Sequence, residues 1–236
     1  MLQQRIAKKE GARASRPQNM TKENNNNNDD KNVADGTPSG YAFHKHWHSR
    51  GYLPHCDVPG LLQSITFRLA DALPTTAIAR IQQAQNDKEK YQRTETLLNQ
   101  GNGECWLNQS TFAELVENTL LYGDGERYRL IAWCIMPNHV HVLIETFLNW
   151  PVPTVIQGWK SFTAKAINRH LGNSGKLWQE DYYDRYIRDD AHLAAIIAYI
   201  HNNPVKAGLK TTAEDWPYSS ASKRPTNPQA IKAYCP

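Results

Sequence analysis

At 236 residues, 40% of them hydrophobic, the chain is long enough to bury one sizeable core or two small ones. No run of about 18 apolar residues occurs, which excludes a membrane-spanning helix. The net charge is +4, and all of the surplus falls in residues 151–236, where 11 Lys and Arg face 7 Asp and Glu. That excess suits a polyanionic partner but is common on ordinary enzymes as well. The N-terminus is charged and lacks the apolar stretch of a secretory signal. The four cysteines, Cys56, Cys105, Cys134 and Cys235, form no CxxC pair and fit free thiols in a reducing cytoplasm.

Residues 1–40, with the run Asn24–Asn28 and few large apolar side chains, read as a disordered leader. Residues 41–60 are aromatic and rich in histidine (His44, His46, His48, His55) and read as an extended arm. No third-ligand spacing accompanies these histidines. The folded domain is expected over 61–222, followed by a tail over 223–236.

Within it, 62–69 alternates Ile65, Phe67 and Leu69 on one face, a β-strand. Thr75 or Thr76 is positioned to cap a long helix to about residue 100, where Gly101-Asn-Gly103 breaks it. Residues 110–122 place Phe112, Leu115, Val116 and Leu120 at helical spacing. Residues 130–136 and 139–145 form a hairpin about Pro137-Asn138. Residues 155–171 make a basic amphipathic helix, 182–187 a short strand, and 190–203 a last helix broken by Pro204. The order is βαββαβ plus a C-terminal helix. It predicts an α+β fold of the ferredoxin-like, split βαβ kind, an antiparallel sheet with helices on one face.

The chemistry begins at His139-Val-His141. Strand alternation puts both imidazoles on one face and Val140, Val142 and Ile144 on the other. Two neighbouring imidazoles are half of a divalent metal site, although two solvated surface histidines would look the same. On the last helix Tyr199 and Asn203 are four residues apart and share one face, at the edge of the stripe Leu193, Ile196, Ile197 and Ile200. The plain reading is an interface tyrosine and a helix-ending asparagine. If that edge meets the histidines, Asn203 offers an oxygen as third ligand to Mg2+ or Mn2+. Tyr199 becomes a nucleophile toward a phosphate held there.

Further blocks give these residues a family context. They are Arg50-Gly-Tyr-Leu-Pro-His55, Phe67-Arg-Leu-Ala-Asp71, Trp133-Cys-Ile-Met-Pro-Asn-His-Val-His-Val-Leu-Ile-Glu145 and Gln157-Gly-Trp-Lys-Ser-Phe-Thr-Ala-Lys165. Leu177-Trp-Gln-Glu-Asp-Tyr-Tyr-Asp184, Ile187-Arg-Asp-Asp190, Tyr199-Ile-His-Asn-Asn-Pro-Val-Lys-Ala-Gly208 and Trp216-Pro-Tyr-Ser-Ser220 follow in order. Over residues 45–222 the chain resembles the REP-associated tyrosine transposases, relatives of the IS200/IS605 single-tyrosine HUH transposases. The resemblance implies a metal-dependent single-strand DNA endonuclease and strand transferase that acts beside hairpins of repetitive extragenic palindromes through a 5′-phosphotyrosine. It implies a bacterial, nucleoid-associated location, no nucleotide cofactor and no membrane, with monomer and homodimer both open. The family's metal histidines fall on His139 and His141, its nucleophile on Tyr199 and its helix-borne ligand on Asn203. Cys134 stands where the family commonly has Val.

Tyr182, Tyr183 and Tyr186 are rival nucleophiles on a short strand. Lys160, Lys165, Arg169, Lys176, Arg185 and Arg188 are candidate phosphate contacts, and Trp159, Trp178 and Tyr183 candidate platforms for unpaired bases. Two other classes stay in view. A nucleotide hydrolase with a histidine nucleophile would need a third alternating histidine, but position 143 is Leu. A hairpin-binding protein that has lost catalysis is the other.

Overall fold

The structure is a computed structural model. It describes residues 46–49 and 54–57 as backbone and residues 58–222 in full apart from the side chain of Asp87. The expected leader and tail lie outside the described residues, as does His44. Within the expected arm, β1 (His46–Ser49) pairs antiparallel with β2 (Pro54–Asp57). The side chains of His46, His48 and His55 are outside the description.

The main sheet holds β3 (Leu62–Arg68), β4 (Tyr128–Ile135), β5 (His139–Thr146) and β6 (Tyr183–Tyr186), ordered β4-β5-β3-β6 with every pair antiparallel. This is the ferredoxin-like order. Alternation fixes what each face carries. Ile65 and Phe67 lie opposite Val142 and Val140. They join a core with Phe112, Leu115 and Leu120 of α3 (Ser110–Tyr122) and with Val155, Ile156, Trp159 and Ile167 of α4 (Val152–Leu171). Phe67 is wedged between the rings of Trp159 and Trp178.

The other face is not left open, which corrects the expectation of helices on one side. Every residue of β5 is buried. α5 (Asp190–His201) lies across that face, with the Tyr199 ring 5.6 Å from that of His141. A strand pattern specifies only which residues share a face; covering the second face is a tertiary event.

Two helix expectations also change. The helix expected over 75–100 is two helices, α1 (Thr75–Gln82) and α2 (Asp87–Leu98). Asn86 breaks the run by adopting extended backbone and capping α2, its side chain accepting from the Glu89 amide at 2.9 Å. α1 starts after Pro74 with no side-chain cap. At the C-terminal end α5 stops at His201, and Asn203 opens a separate turn, α6 (Asn203–Lys206). Pro204 sits in the first turn of α6, where a missing amide proton costs nothing.

Candidate metal and nucleophile site

His139 and His141 stand side by side on β5, both essentially inaccessible to water. Their Nε2 atoms are 3.0 Å apart. Each Nδ1 is held from behind: His139 by the Asn138 side-chain oxygen at 2.7 Å, and His141 by the Thr66 hydroxyl at 2.9 Å. Thr66 is the β3 residue directly opposite His141. The Asn138 oxygen can only accept, so it places the His139 proton on Nδ1 and leaves an Nε2 lone pair facing the site; the Thr66 hydroxyl, when it accepts, does the same for His141. Burial, with the neighbouring His141, keeps His139 well below the usual imidazole range; burial, with the Lys206 charge, brings His141 down to about 3. Both rings are neutral at pH 7.

The third member comes from α2. The Glu95 carboxylate is 3.5 Å from His141 Nε2, and ligand atoms of Glu95, His139 and His141 all lie within 4.8 Å of one another. With the imidazole neutral, the Glu95–His141 contact is not an ion pair. Burial raises the Glu95 carboxyl to about 7, opposed by the Tyr199 hydroxyl and the Lys206 charge. The Tyr199 hydroxyl donates to Glu95. Burial and the Glu95 charge push the Tyr199 phenol far above its usual range. The Lys206 ammonium sits 4.3 Å from the centre of the Tyr199 ring, an arrangement that a ring quadrupole favours.

The donor set fits a divalent ion. Two neutral imidazoles, each held at its Nδ1, converge with a carboxylate whose Oε2 meets His141. An octahedral ion with ligands at about 2.1 Å has ligand–ligand edges of about 3.0 Å, which is the Nε2–Nε2 separation. Asn203 adds an observation of its own. It is fully buried, its amide nitrogen donates to the Tyr199 carbonyl at 2.8 Å, and its side-chain oxygen has no hydrogen-bond partner among the described residues. A buried unpaired oxygen is costly unless something ligates it.

Glu95 was missed by reading the sequence. Its signal is a charge on an inward stripe, since Tyr91, Glu95 and Leu98 recur at helical spacing and Leu98 is buried. The expectation of one long helix over 75–100 assigned no inward face to this segment.

The proposed DNA contacts separate into three groups. Lys160 is buried, and its ammonium donates to the carbonyls of Gln179, Glu180 and Asp181 at 3.0, 3.1 and 3.3 Å. It ties the segment before β6 to α4 rather than facing a phosphate. Trp178 is likewise a core residue, its indole donating to Thr163 at 2.9 Å and its ring edge-on to Phe67, and Trp159 is buried against the same ring. Lys165 and Arg169 are exposed on α4, in the layer away from the histidines. Arg185 and Tyr183 lie on β6 opposite Ser64 and Thr66, so they share the histidine face. Arg185 and Arg188 are exposed.

Comparison with known proteins finds similarity to transposases. Residues 107–203 match the family described as "Transposase IS200 like". That span includes both histidines, Tyr199 and Asn203 but not Glu95. Over 103 residues the chain is 32% identical to a Haemophilus influenzae protein assigned to the REP-associated tyrosine transposases, covering 39% of this chain and 58% of that protein. Over 98 residues it is 26% identical to the REP-associated tyrosine transposase of Escherichia coli K12, covering 39% and 54%. The chain thus spans a little over half the length of these curated relatives. A solved structure of a REP-associated tyrosine transposase bound to a REP hairpin shares the fold, with a TM-score of 0.50 at 16% identity over 80% of this chain and 88% of that one. The chain is thus similar to the REP-associated tyrosine transposases, and its residues 107–203 are similar to the IS200-like transposase family. No helix among the described residues is long and apolar enough to cross a membrane.

Proposed function

We propose that the chain is a metal-dependent single-strand DNA endonuclease and strand transferase that cuts beside hairpin-forming palindromes through a 5′-phosphotyrosine. The observation that carries this reading is one arrangement: the Tyr199 hydroxyl donates to a carboxylate that itself meets the paired imidazoles. His139, His141 and Glu95, with the unpaired oxygen of Asn203, would hold Mg2+ or Mn2+. A bound ion of this kind supplies Lewis-acid polarisation of a phosphodiester oxygen.

The chain's own residues do the rest. Tyr199 rests as a neutral phenol, so it needs a proton acceptor before it attacks. Glu95, already hydrogen-bonded to it, is placed to take the proton from Oη. As Oη bonds to phosphorus, the P–O3′ bond breaks and the departing O3′ takes up a proton from water, leaving a free 3′-hydroxyl and the protein joined to the 5′ side. The ester keeps the energy of the cleaved bond, so rejoining needs no nucleotide cofactor. Lys206, beside the Tyr199 ring, favours an approaching phosphate. The Tyr199 ring lies 5.6 Å from that of His141 of the same chain, which supports a site complete within one monomer.

The test is incubation with a single-stranded hairpin oligonucleotide from the genomic neighbourhood, with and without Mg2+ or Mn2+. The expected result is a denaturant-resistant protein–DNA adduct that requires metal, forms with Tyr183→Phe and is absent with Tyr199→Phe. Hairpin binding without an adduct under any metal would make the chain a binding protein only. Equal cleavage of a fully paired duplex would refute the single-strand requirement.

A further inference from the structure

Beside Tyr199 lies a cavity of about 250 Å3 that the cleavage mechanism does not use. Ser64 of β3, Tyr91 of α2, Tyr183 and Arg185 of β6, and His192 and Tyr199 of α5 line it. It is smaller than the roughly 300–1,000 Å3 of drug-sized pockets.

Its walls carry three complementary features. Tyr91 and Tyr183, from different elements, stack with ring centres 4.5 Å apart and planes 30° from parallel. The Tyr91 ring is 6.4 Å from that of Tyr199, so this aromatic wall leads directly to the proposed nucleophile. Second, His192 Nδ1 accepts from the Arg188 amide at 3.3 Å, which leaves the ring proton on Nε2. That Nε2 is shielded from water and has no hydrogen-bond partner among the described residues. A buried donor without an acceptor is costly in the free protein and is satisfied by a ligand that brings one. Third, Arg185 is exposed at the rim, close enough for its charge to act on both Tyr91 and His192, and it makes no ion pair among the described residues.

A flat aromatic wall, one buried donor and one free cation, all within reach of a phosphoryl-transfer nucleophile, match the parts of one nucleotide. We infer that this cavity is a subsite for a single unpaired nucleotide next to the scissile phosphate. Its base lies against Tyr91 and Tyr183, its polar edge accepts from His192 Nε2, and its phosphate faces Arg185. The inference rests on the single-strand reading above and adds to it a source of selectivity at the cut. A base still paired in a duplex must first unpair and unstack to enter the cavity, so the subsite would also favour single-stranded DNA at the cut.

The probe is 2-aminopurine, whose fluorescence falls when it stacks on an aromatic ring. It is placed in turn at each nucleotide of the single-stranded flank of a hairpin oligonucleotide and at internal positions of oligo-dT. Tyr199→Phe protein is used so that nothing is cleaved. The expected result is quenching confined to one flank position of the hairpin. Ala195→Phe, which fills the cavity from an exposed position on α5, should abolish that quenching, and Tyr91→Leu should do the same. Removing a base stack of this kind weakens affinity by about tenfold. Absence of quenching at every position of every oligonucleotide overturns the subsite, as does quenching that survives both variants. Covalent adduct formation by the unmodified protein is scored separately. Adduct without quenching removes the subsite and keeps the nuclease, whereas quenching without adduct removes the nuclease and keeps the subsite.

Discussion

Metal affinity should follow a single proton, and that proton belongs to Glu95. The perturbation is pH, applied to Mn2+ binding measured by calorimetry on Tyr199→Phe protein incubated without DNA. In an ordinary two-histidine site, acid would protonate both imidazoles near their usual pKa of about 6.5 and affinity would collapse with a slope of two. Here burial holds His141 down at about 3 and His139 well below its usual range, so neither imidazole competes with the metal near neutral pH. Burial raises the Glu95 carboxyl to about 7, so this group must lose its proton to ligate. Affinity is therefore expected to be flat above the Glu95 midpoint. Below it, affinity should fall about tenfold per pH unit, equivalent to about 1.4 kcal/mol per unit and a loss of about a hundredfold two units down. Replacing Tyr199 by Phe removes a hydrogen bond that lowers the Glu95 value, so the midpoint in this background lies above that of the unmodified protein. Glu95→Gln should erase the slope and weaken binding at pH 8 by at least the roughly 10–100-fold that loss of an outer-shell partner produces. A slope of two centred near pH 6.5 would mean that the histidines titrate, and the closed, neutral site would be wrong. Binding indifferent to both pH and Glu95→Gln would remove Glu95 from the ligand set.

The sequence made the histidine strand legible because period-two alternation is a local property. His139, Val140, His141 and Val142 could be assigned to faces without knowing what covered them, and the structure places them so. The helix-borne Tyr199 was legible from its spacing to Asn203 and from the family resemblance. Glu95 was not, because its role depends on α2 crossing the sheet, and nothing within α2 reports which strand it meets. The misread basic and aromatic residues have the same cause. Lys160 lies on a helix with polar neighbours, and only the fold shows three carbonyls converging on its ammonium. Trp178 lies between Lys176 and Glu180 in sequence yet is packed on Phe67. Asn138 was read as a turn former, which understates it. Its oxygen orients His139, while its amide donates to the carbonyls of Leu98, at the end of α2, and Asn102. The turn that joins the two strands thus also ties the strand bearing the histidines to the helix bearing the carboxylate.

Lys160→Met should keep the apolar stem but leave three carbonyls without their donor, lowering stability by about 2–4 kcal/mol. Thermal melting reads this as a fall of about 2–4 °C per kcal/mol, and an unchanged melting temperature would show that the ammonium is dispensable. Acidification should destabilise the metal-free protein. Because the folded-state values of His139 and His141 lie below their unfolded ones, the unfolded chain takes up protons first, and stability is lost as pH falls from about 6.5 toward 3. Glu95 works the other way, since its raised value lets the folded state hold a proton that the unfolded chain has released between about 4.5 and 7. Two histidines outweigh one carboxyl, so melting temperature should drop between pH 6.5 and 5, more steeply in Glu95→Gln; a rise would reverse the sign argument. The last test separates the two jobs of Asn138. Aspartate at this position keeps the acceptor for His139 Nδ1 but loses the amide that holds Leu98 and Asn102. If orientation of His139 were all that mattered, Asn138→Asp would bind Mn2+ as well as the unmodified protein. If the tie to α2 sets where Glu95 stands, Asn138→Asp should bind Mn2+ about 10–100-fold more weakly, as other supporting residues of metal sites do. Its residual affinity should then be almost insensitive to a further Glu95→Gln change, because the carboxylate is already displaced. Full additivity of the two substitutions would mean that Asn138 and Glu95 act independently, and the proposed link through the end of α2 would be refuted.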